Sequence, residues 1–219
     1  MADKIRLQDG PPAVNAWMAQ SEGTPKGGVV VIQEIFGVTS HIRNVVDGYA
    51  KAGYTAIAPA IFDLVQSDVE LPYDEGGIKQ GIEFVGKISF DAALALVKAA
   101  ADRIASVGKV GVVGYCWGGT VAYLSALRLG LPAVSYYGGR NTQFVEEPAL
   151  APLMFHYGER DAHISAADRD RVRKAHPDAE FHVYPADHGF NCDERGSYDA
   201  TAAALARKRT LAFFAEHLS

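Results

Sequence analysis

At 219 residues, with 48% hydrophobic and 21% charged side chains, the chain is long enough for one domain with a large core. A formal net charge of −5 argues against nucleic acid or an anionic membrane surface as the main partner. No apolar run reaches the roughly 18 residues of a membrane span, and the first residues, Met1-Ala2-Asp3-Lys4, carry no signal-peptide core. Only two cysteines occur, Cys116 and Cys192, with neither a CxxC pair nor a metal-ligand spacing. The expectation is a single domain over residues 1–219 in a reducing cytoplasm, as a monomer or small homo-oligomer.

Residues 1–26 are predicted to form a short antiparallel start, with turns at Pro11-Pro12 and from Gly23 to Gly28. Gly28 to Gln33 reads as a fully buried strand, because it is continuously apolar rather than alternating. Glu34-Ile35-Phe36-Gly37 ends it, and Ser40 is the candidate cap of a helix from His41 to about Ala52. Gly53 stops that helix, and Tyr54 to Ala58 is the next strand, closed by Pro59. Strand, helix, strand in this order makes a βαβ unit and a parallel sheet.

Segment 60–88 mixes Asp63, Gln66, Pro72, Asp74, Glu75 and Gly76-Gly77 with scattered apolar positions and suggests no element. A helix from Ser89 to Ala105 follows, then a β-branched strand over 109–115 and a helix ending before Gly130. Ala133 to Tyr137 and Leu153 to Tyr157 are further buried strands. Ser165 is the candidate cap of a charged surface helix reaching about Ala175, Glu180 to Tyr184 is the last strand, and a helix from Ala200 to His217 closes the chain. This alternation predicts a doubly wound, mostly parallel α/β sheet with helices on both faces.

Gly114-Tyr115-Cys116-Trp117-Gly118 has the spacing of a nucleophile elbow, with sulfur in place of the hydroxyl oxygen. Such a turn exposes the thiol above the sheet, and the first N–H groups of the following helix favour its thiolate. A Gly-rich turn of this kind also serves phosphate-binding loops, and a lone Cys there is often a small buried hydrophobe. The other strand ends favour catalysis. Asp161 follows the strand that ends at Tyr157, and His188 follows the one that ends at Tyr184, in the order nucleophile, acid, histidine. His188 would take the thiol proton and return it to the leaving group, while Asp161 would fix the tautomer. Asp187 and Asp168 are rival acids. The oxyanion needs two backbone donors, assigned to Trp117 and to Ile35 in the loop after the first buried strand. Glu34 beside it is either a carboxylate held near the thiol or a loop acid facing solvent.

Gln33-Glu34-Ile35-Phe36-Gly37, the Gly114 to Gly119 turn, Tyr136-Tyr137-Gly138, Gly158-x-x-Asp161 and His188-Gly189-Phe190 together resemble the dienelactone hydrolase family over nearly the whole chain. The resemblance implies an α/β-hydrolase fold, a Cys116–His188–Asp161 triad, and hydrolysis of a small ester or lactone, of the carboxymethylenebutenolidase type. The reaction would run through a thioester, without metal or cofactor. The resemblance also implies that Glu34 holds the thiol and deprotonates it when substrate arrives, and that Tyr136 lies in the substrate pocket. One departure concerns the substrate. Dienelactone-cleaving members carry arginines that grip its carboxylate, one of them four residues after the catalytic histidine, where this chain has Cys192. Segment 60–88 contains no Arg, only Lys79 and Lys87. Arg140, Lys79 and Arg195 remain as cations for an anionic substrate, Arg140 best placed because it follows the Ala133 to Tyr137 strand. The same residues would also suit an acyltransferase using the same thioester, or a binding protein that has lost turnover.

Overall fold

The structure, a computed structural model, describes residues 1–10 and 12–218; Pro11, in the first expected turn, lies outside them. Eight strands form a sheet: β1 (Asp3–Gln8), β2 (Val14–Ala19), β3 (Gly28–Ile32), β4 (Thr55–Pro59), β5 (Val110–Tyr115), β6 (Ala133–Tyr136), β7 (Leu153–Gly158) and β8 (Glu180–Tyr184). Their order is β1-β2-β4-β3-β5-β6-β7-β8. β1 with β2 and β2 with β4 are antiparallel, whereas β3 with β4 and β5 through β8 pair in parallel. The helices are α1 (Ser40–Lys51), α2 (Glu75–Gly86), α3 (Phe90–Ile104), α4 (Trp117–Arg128), α5 (Ala166–Ala175) and α6 (Ala200–His217). Among the described residues no helix is long and apolar enough to cross a membrane. The chain divides into two compact units, one mainly of residues 1–111 and one of 112–217.

In the first unit every residue of β3 and β4 is buried, which explains their unbroken apolar runs. The cap of α1 is Thr39 rather than Ser40: its side chain accepts the Ile42 N–H, and the helix starts at Ser40 itself. Gly53, at φ +97°, ends the helix in a backbone region that suits glycine. α2 is the helix that segment 60–88 did not announce. Four glycines give it little intrinsic propensity, so capping and packing hold it. Asp74 accepts the Gly77 N–H at 2.8 Å, Phe84 packs on Phe62 with ring centroids 5.3 Å apart, and Gly81 presses on the Ile35 carbonyl, where a Cβ would come within 2.1 Å.

In the second unit the register across β5 to β8 sets Tyr115, Tyr136, His156 and His182 side by side. Side chains in register share a face of the sheet. α5 opens with a capping box in which Ser165 and Asp168 satisfy each other's backbone N–H. α4 meets β6 closely because Gly119 has no side chain; a Cβ there would stand 2.5 Å from the Tyr136 carbonyl oxygen.

Candidate active site

The turn from β5 into α4 is sterically dependent on glycine. A Cβ at Gly114 would lie 1.8 Å from the Gly118 carbonyl oxygen, so no other residue fits without moving the helix. Cys116, the residue between strand and helix, has φ 55° and ψ −118°. A positive φ is costly for a residue with a side chain and persists only where its surroundings enforce it. Two hydrogen bonds do so: the Cys116 N–H donates to the Tyr136 carbonyl at 3.0 Å, and its own carbonyl accepts the Gly119 N–H at 2.9 Å. The thiol is partly exposed. Trp117 is the first residue of α4, and the N–H groups of a first turn point out of the helix end, where Cys116 stands.

Facing the sulfur, His188 Nε2 lies 3.2 Å from Cys116 Sγ. Its Nδ1 is 2.7 Å from Asp161 Oδ2. The carboxylate only accepts, so Nδ1 carries the proton of that bond and Nε2 is left to exchange protons with the sulfur. Asp161 is buried, and its other oxygen accepts the His163 N–H at 2.8 Å. Burial works against a charged imidazole here, yet the Cys116 sulfur and the Asp161 carboxylate outweigh it and push the His188 pKa up to about 10. The rival acids stand elsewhere. Asp187 is half exposed and pairs with Arg160 at 3.5 Å, and Asp168 is occupied in the α5 capping box.

The geometry adds residues that carry no local sequence signal. Arg169 is buried and donates from Nη1 to the carbonyls of Gly158 and Ile164, at 3.1 and 2.9 Å. It thereby ties together the two ends of the loop that carries Asp161. Gly158 lets that loop meet the His188 loop, since a Cβ there would be 2.4 Å from the Ala186 carbonyl oxygen. The ring of His163 stands edge-on to His188 at 5.1 Å.

Tyr136, expected in the substrate pocket, points into the interior. Its side chain is buried and its hydroxyl bonds Thr210 Oγ1 at 2.7 Å, in an internal network. The tyrosine ring beside His188 is that of Tyr137, with centroids 5.0 Å apart. β6 ends at Tyr136, and Tyr137 turns to φ 38°, which swings the second tyrosine toward the histidine. Arg140 is exposed at the start of a short 3-10 turn, and its backbone N–H donates to Thr120 Oγ1 at 3.2 Å. Cys192 is fully buried. Arg195 packs against the backbone of Gly189, next to His188; a Cβ on Gly189 would be 2.5 Å from its Nη1. In the first unit Glu34 is 1% exposed, so it is not a loop acid facing solvent. Lys79 is exposed on α2. Among the described residues no group of three or more His, Cys, Asp or Glu side chains could hold a metal.

Comparison with known proteins gives the family. The family model for the dienelactone hydrolase family matches residues 14–218. A carboxymethylenebutenolidase of Pseudomonas putida is 34% identical over 199 residues, covering 85% of this chain and 84% of that one. A Synechocystis protein provisionally named carboxymethylenebutenolidase is 36% identical over 214 residues, covering 87% and 86%. A crystal structure from Klebsiella pneumoniae, provisionally named a dienelactone hydrolase, superposes with a TM-score of 0.84 at 28% identity, covering 99% of this chain and 98% of that one. The chain has the α/β-hydrolase fold and belongs to the dienelactone hydrolase family, whose members are hydrolases of esters and lactones.

Proposed function

We propose that this chain cleaves a small ester or lactone through a thioester on Cys116, with His188 and Asp161 as its proton-handling pair. The observation that carries the reading is the line Cys116 Sγ, His188, Asp161, with contacts of 3.2 and 2.7 Å. The sulfur, as thiolate, attacks the carbonyl carbon, and the carbonyl π electrons move to oxygen. The oxyanion is held by the backbone N–H of Trp117 and, as the family resemblance suggests, of Ile35. On collapse the C–O bond breaks, and the alkoxide takes the proton on His188 Nε2. In a lactone that alkoxide remains part of the acyl chain. His188, now neutral, takes a proton from water as the water attacks the thioester, and the sulfur leaves with its electron pair. Asp161 keeps the imidazole oriented throughout and stabilises its charge.

Glu34 is proposed to act on the protonation of the thiol; its burial at the end of β3 supports that role over a solvated one. Neither cysteine forms a disulfide among the described residues, which fits a reducing compartment such as the cytoplasm. The test is to trap the intermediate. Quenching the reaction with a slowly deacylating ester and mapping peptides by mass should place the acyl group on Cys116. Hydrolysis that survives in purified, folded Cys116→Ala would overturn the reading.

A further inference from the structure

The row Tyr115, Tyr136, His156, His182 lies directly behind the loops of the proposed triad. Adjacent ring centroids along it are 4.8, 4.4 and 5.5 Å apart. Tyr115 precedes Cys116, and the Tyr136 carbonyl accepts the Cys116 N–H. The Tyr184 carbonyl, at the end of β8, accepts the Glu159 N–H at 2.7 Å, at the head of the Asp161 loop. Behind the row runs a chain of hydrogen bonds. Arg209 Nη1 donates to the Tyr184 hydroxyl at 3.1 Å, and that hydroxyl lies 2.8 Å from His156 Nδ1. His156 Nε2 lies 3.0 Å from Thr210 Oγ1, which lies 2.7 Å from the Tyr136 hydroxyl.

Chemistry gives this chain a direction. A guanidinium only donates, so Tyr184 accepts from Arg209 and must place its own proton elsewhere. Tyr184 is 3% exposed, and His156 Nδ1 is the acceptor in reach among the described residues. Nδ1 is therefore bare, Nε2 carries the hydrogen and donates to Thr210, and the Thr210 proton goes to Tyr136. In the reverse direction the Tyr184 hydroxyl would take hydrogens from both Arg209 Nη1 and His156 Nδ1, whereas a cation donating to that hydroxyl polarises it into the better donor toward His156. Burial first, with His182 and Arg209 adding to it, holds the His156 pKa well below the usual histidine range, so the ring is neutral.

We propose that His156 and Thr210 are positioning residues for the hydrolase reaction: their one-way hydrogen-bond chain clamps Tyr136, whose carbonyl fixes the amide of the strained Cys116. The inference rests on the Cys116–His188–Asp161 reading. A displaced nucleophile is costly, since an error of about 1 Å can cost about 100-fold in rate.

Long-range nitrogen–proton NMR on the parent protein should show His156 as the neutral Nε2–H tautomer; an Nδ1–H tautomer overturns the clamp. Thr210→Val, which keeps the β-branched shape, should lower kcat about 5- to 20-fold with KM within about twofold, a fraction of that displacement cost. Thr210→Ser should restore kcat. If Thr210→Val does not fold, Tyr184→Phe cuts the same chain one link away and should show the same split. Full kcat in either folded variant, or no rescue by serine, sinks the proposal. Cys116→Ala assayed beside them separates the two failures: activity there sinks the cysteine reading, whereas a dead Cys116→Ala beside a fully active Thr210→Val sinks only the clamp.

Discussion

Two histidines of the second unit, His156 and His188, are each hydrogen-bonded at both ring nitrogens, and burial pushes both toward neutrality. They end on opposite sides. His188 stands between a carboxylate and a sulfur, and its pKa rises to about 10. His156 stands between two hydroxyls, with Arg209 behind one of them, and its pKa falls well below the usual range. Burial alone does not decide the charge of a histidine here: it prevails at His156 and is overcome at His188. Negatively charged acceptors overcome burial and make a proton handler, whereas neutral hydroxyls leave burial unopposed, with His182 and Arg209 adding to it, and make a strut.

The comparison breaks most sharply on removing the pieces of the first site. His188→Ala should lose roughly 10⁴-fold or more in kcat/KM, and Asp161→Asn roughly 10²- to 10⁴-fold, because the base is then misoriented rather than absent. Asp187→Asn should stay within about twofold, as expected of an exposed ion pair. An Asp187→Asn more damaging than Asp161→Asn would mean that the acid is misassigned.

The protonation contrast itself is measurable by NMR titration. His188 should hold its proton to near pH 10, and His156 should stay neutral well below the usual histidine range. Stability follows with opposite signs. An unfolded histidine titrates near 6.5, so what His188 contributes is fully present below that pH and is lost as pH rises toward about 10. His156 does the reverse: the unfolded chain binds a proton that the folded core refuses, so stability drops as pH falls below about 6.5. Thermal melts of Thr210→Val and Asp161→Asn across pH 5 to 10 would show whether the two slopes belong to these two rings.

Smaller effects sharpen the site. If Glu34 acts as proposed, Glu34→Gln makes Cys116 easier to alkylate near neutral pH while slowing turnover, since a carboxylate acting on a thiol disfavours a second negative charge. Alkylation profiles that overlay would remove Glu34 from the mechanism. Iodoacetamide should choose Cys116 over Cys192, which has no exposed surface. Least of all should substrate charge matter. With Arg140 exposed and Cys192 at the family's arginine place, a neutral lactone should be cleaved as well as its carboxylate analogue or better. A preference of tenfold or more for the anion, about 1.4 kcal/mol, would point to Arg195, which packs on Gly189 beside the histidine.

The line of Cys116, His188 and Asp161, the proposed triad, was legible in the sequence because its constraints are local. Gly114 must be small for the turn to close, and Asp161 and His188 each follow a strand that reads clearly as a strand. α2 was illegible for the converse reason: its glycines argue against a helix, and only the Asp74 cap and the contacts of Gly81 and Phe84 make one. That the ring of Tyr137 stands beside His188 hangs on one backbone angle just past β6, which strand alternation does not encode. The link from Thr210 to His156 joins residues 54 apart, with no spacing to announce it. The clamp on the acid loop by Arg169 lay hidden in a helix that otherwise reads as solvated.

Position 116 sets thermal tolerance against chemistry. Its backbone sits at φ 55°, which a glycine would occupy with far less strain than any residue bearing a β-carbon. Selection for heat resistance alone would therefore reward glycine there and discard the thiol, leaving a sturdier protein without its proposed nucleophile. A laboratory campaign to harden this scaffold has to freeze that codon first.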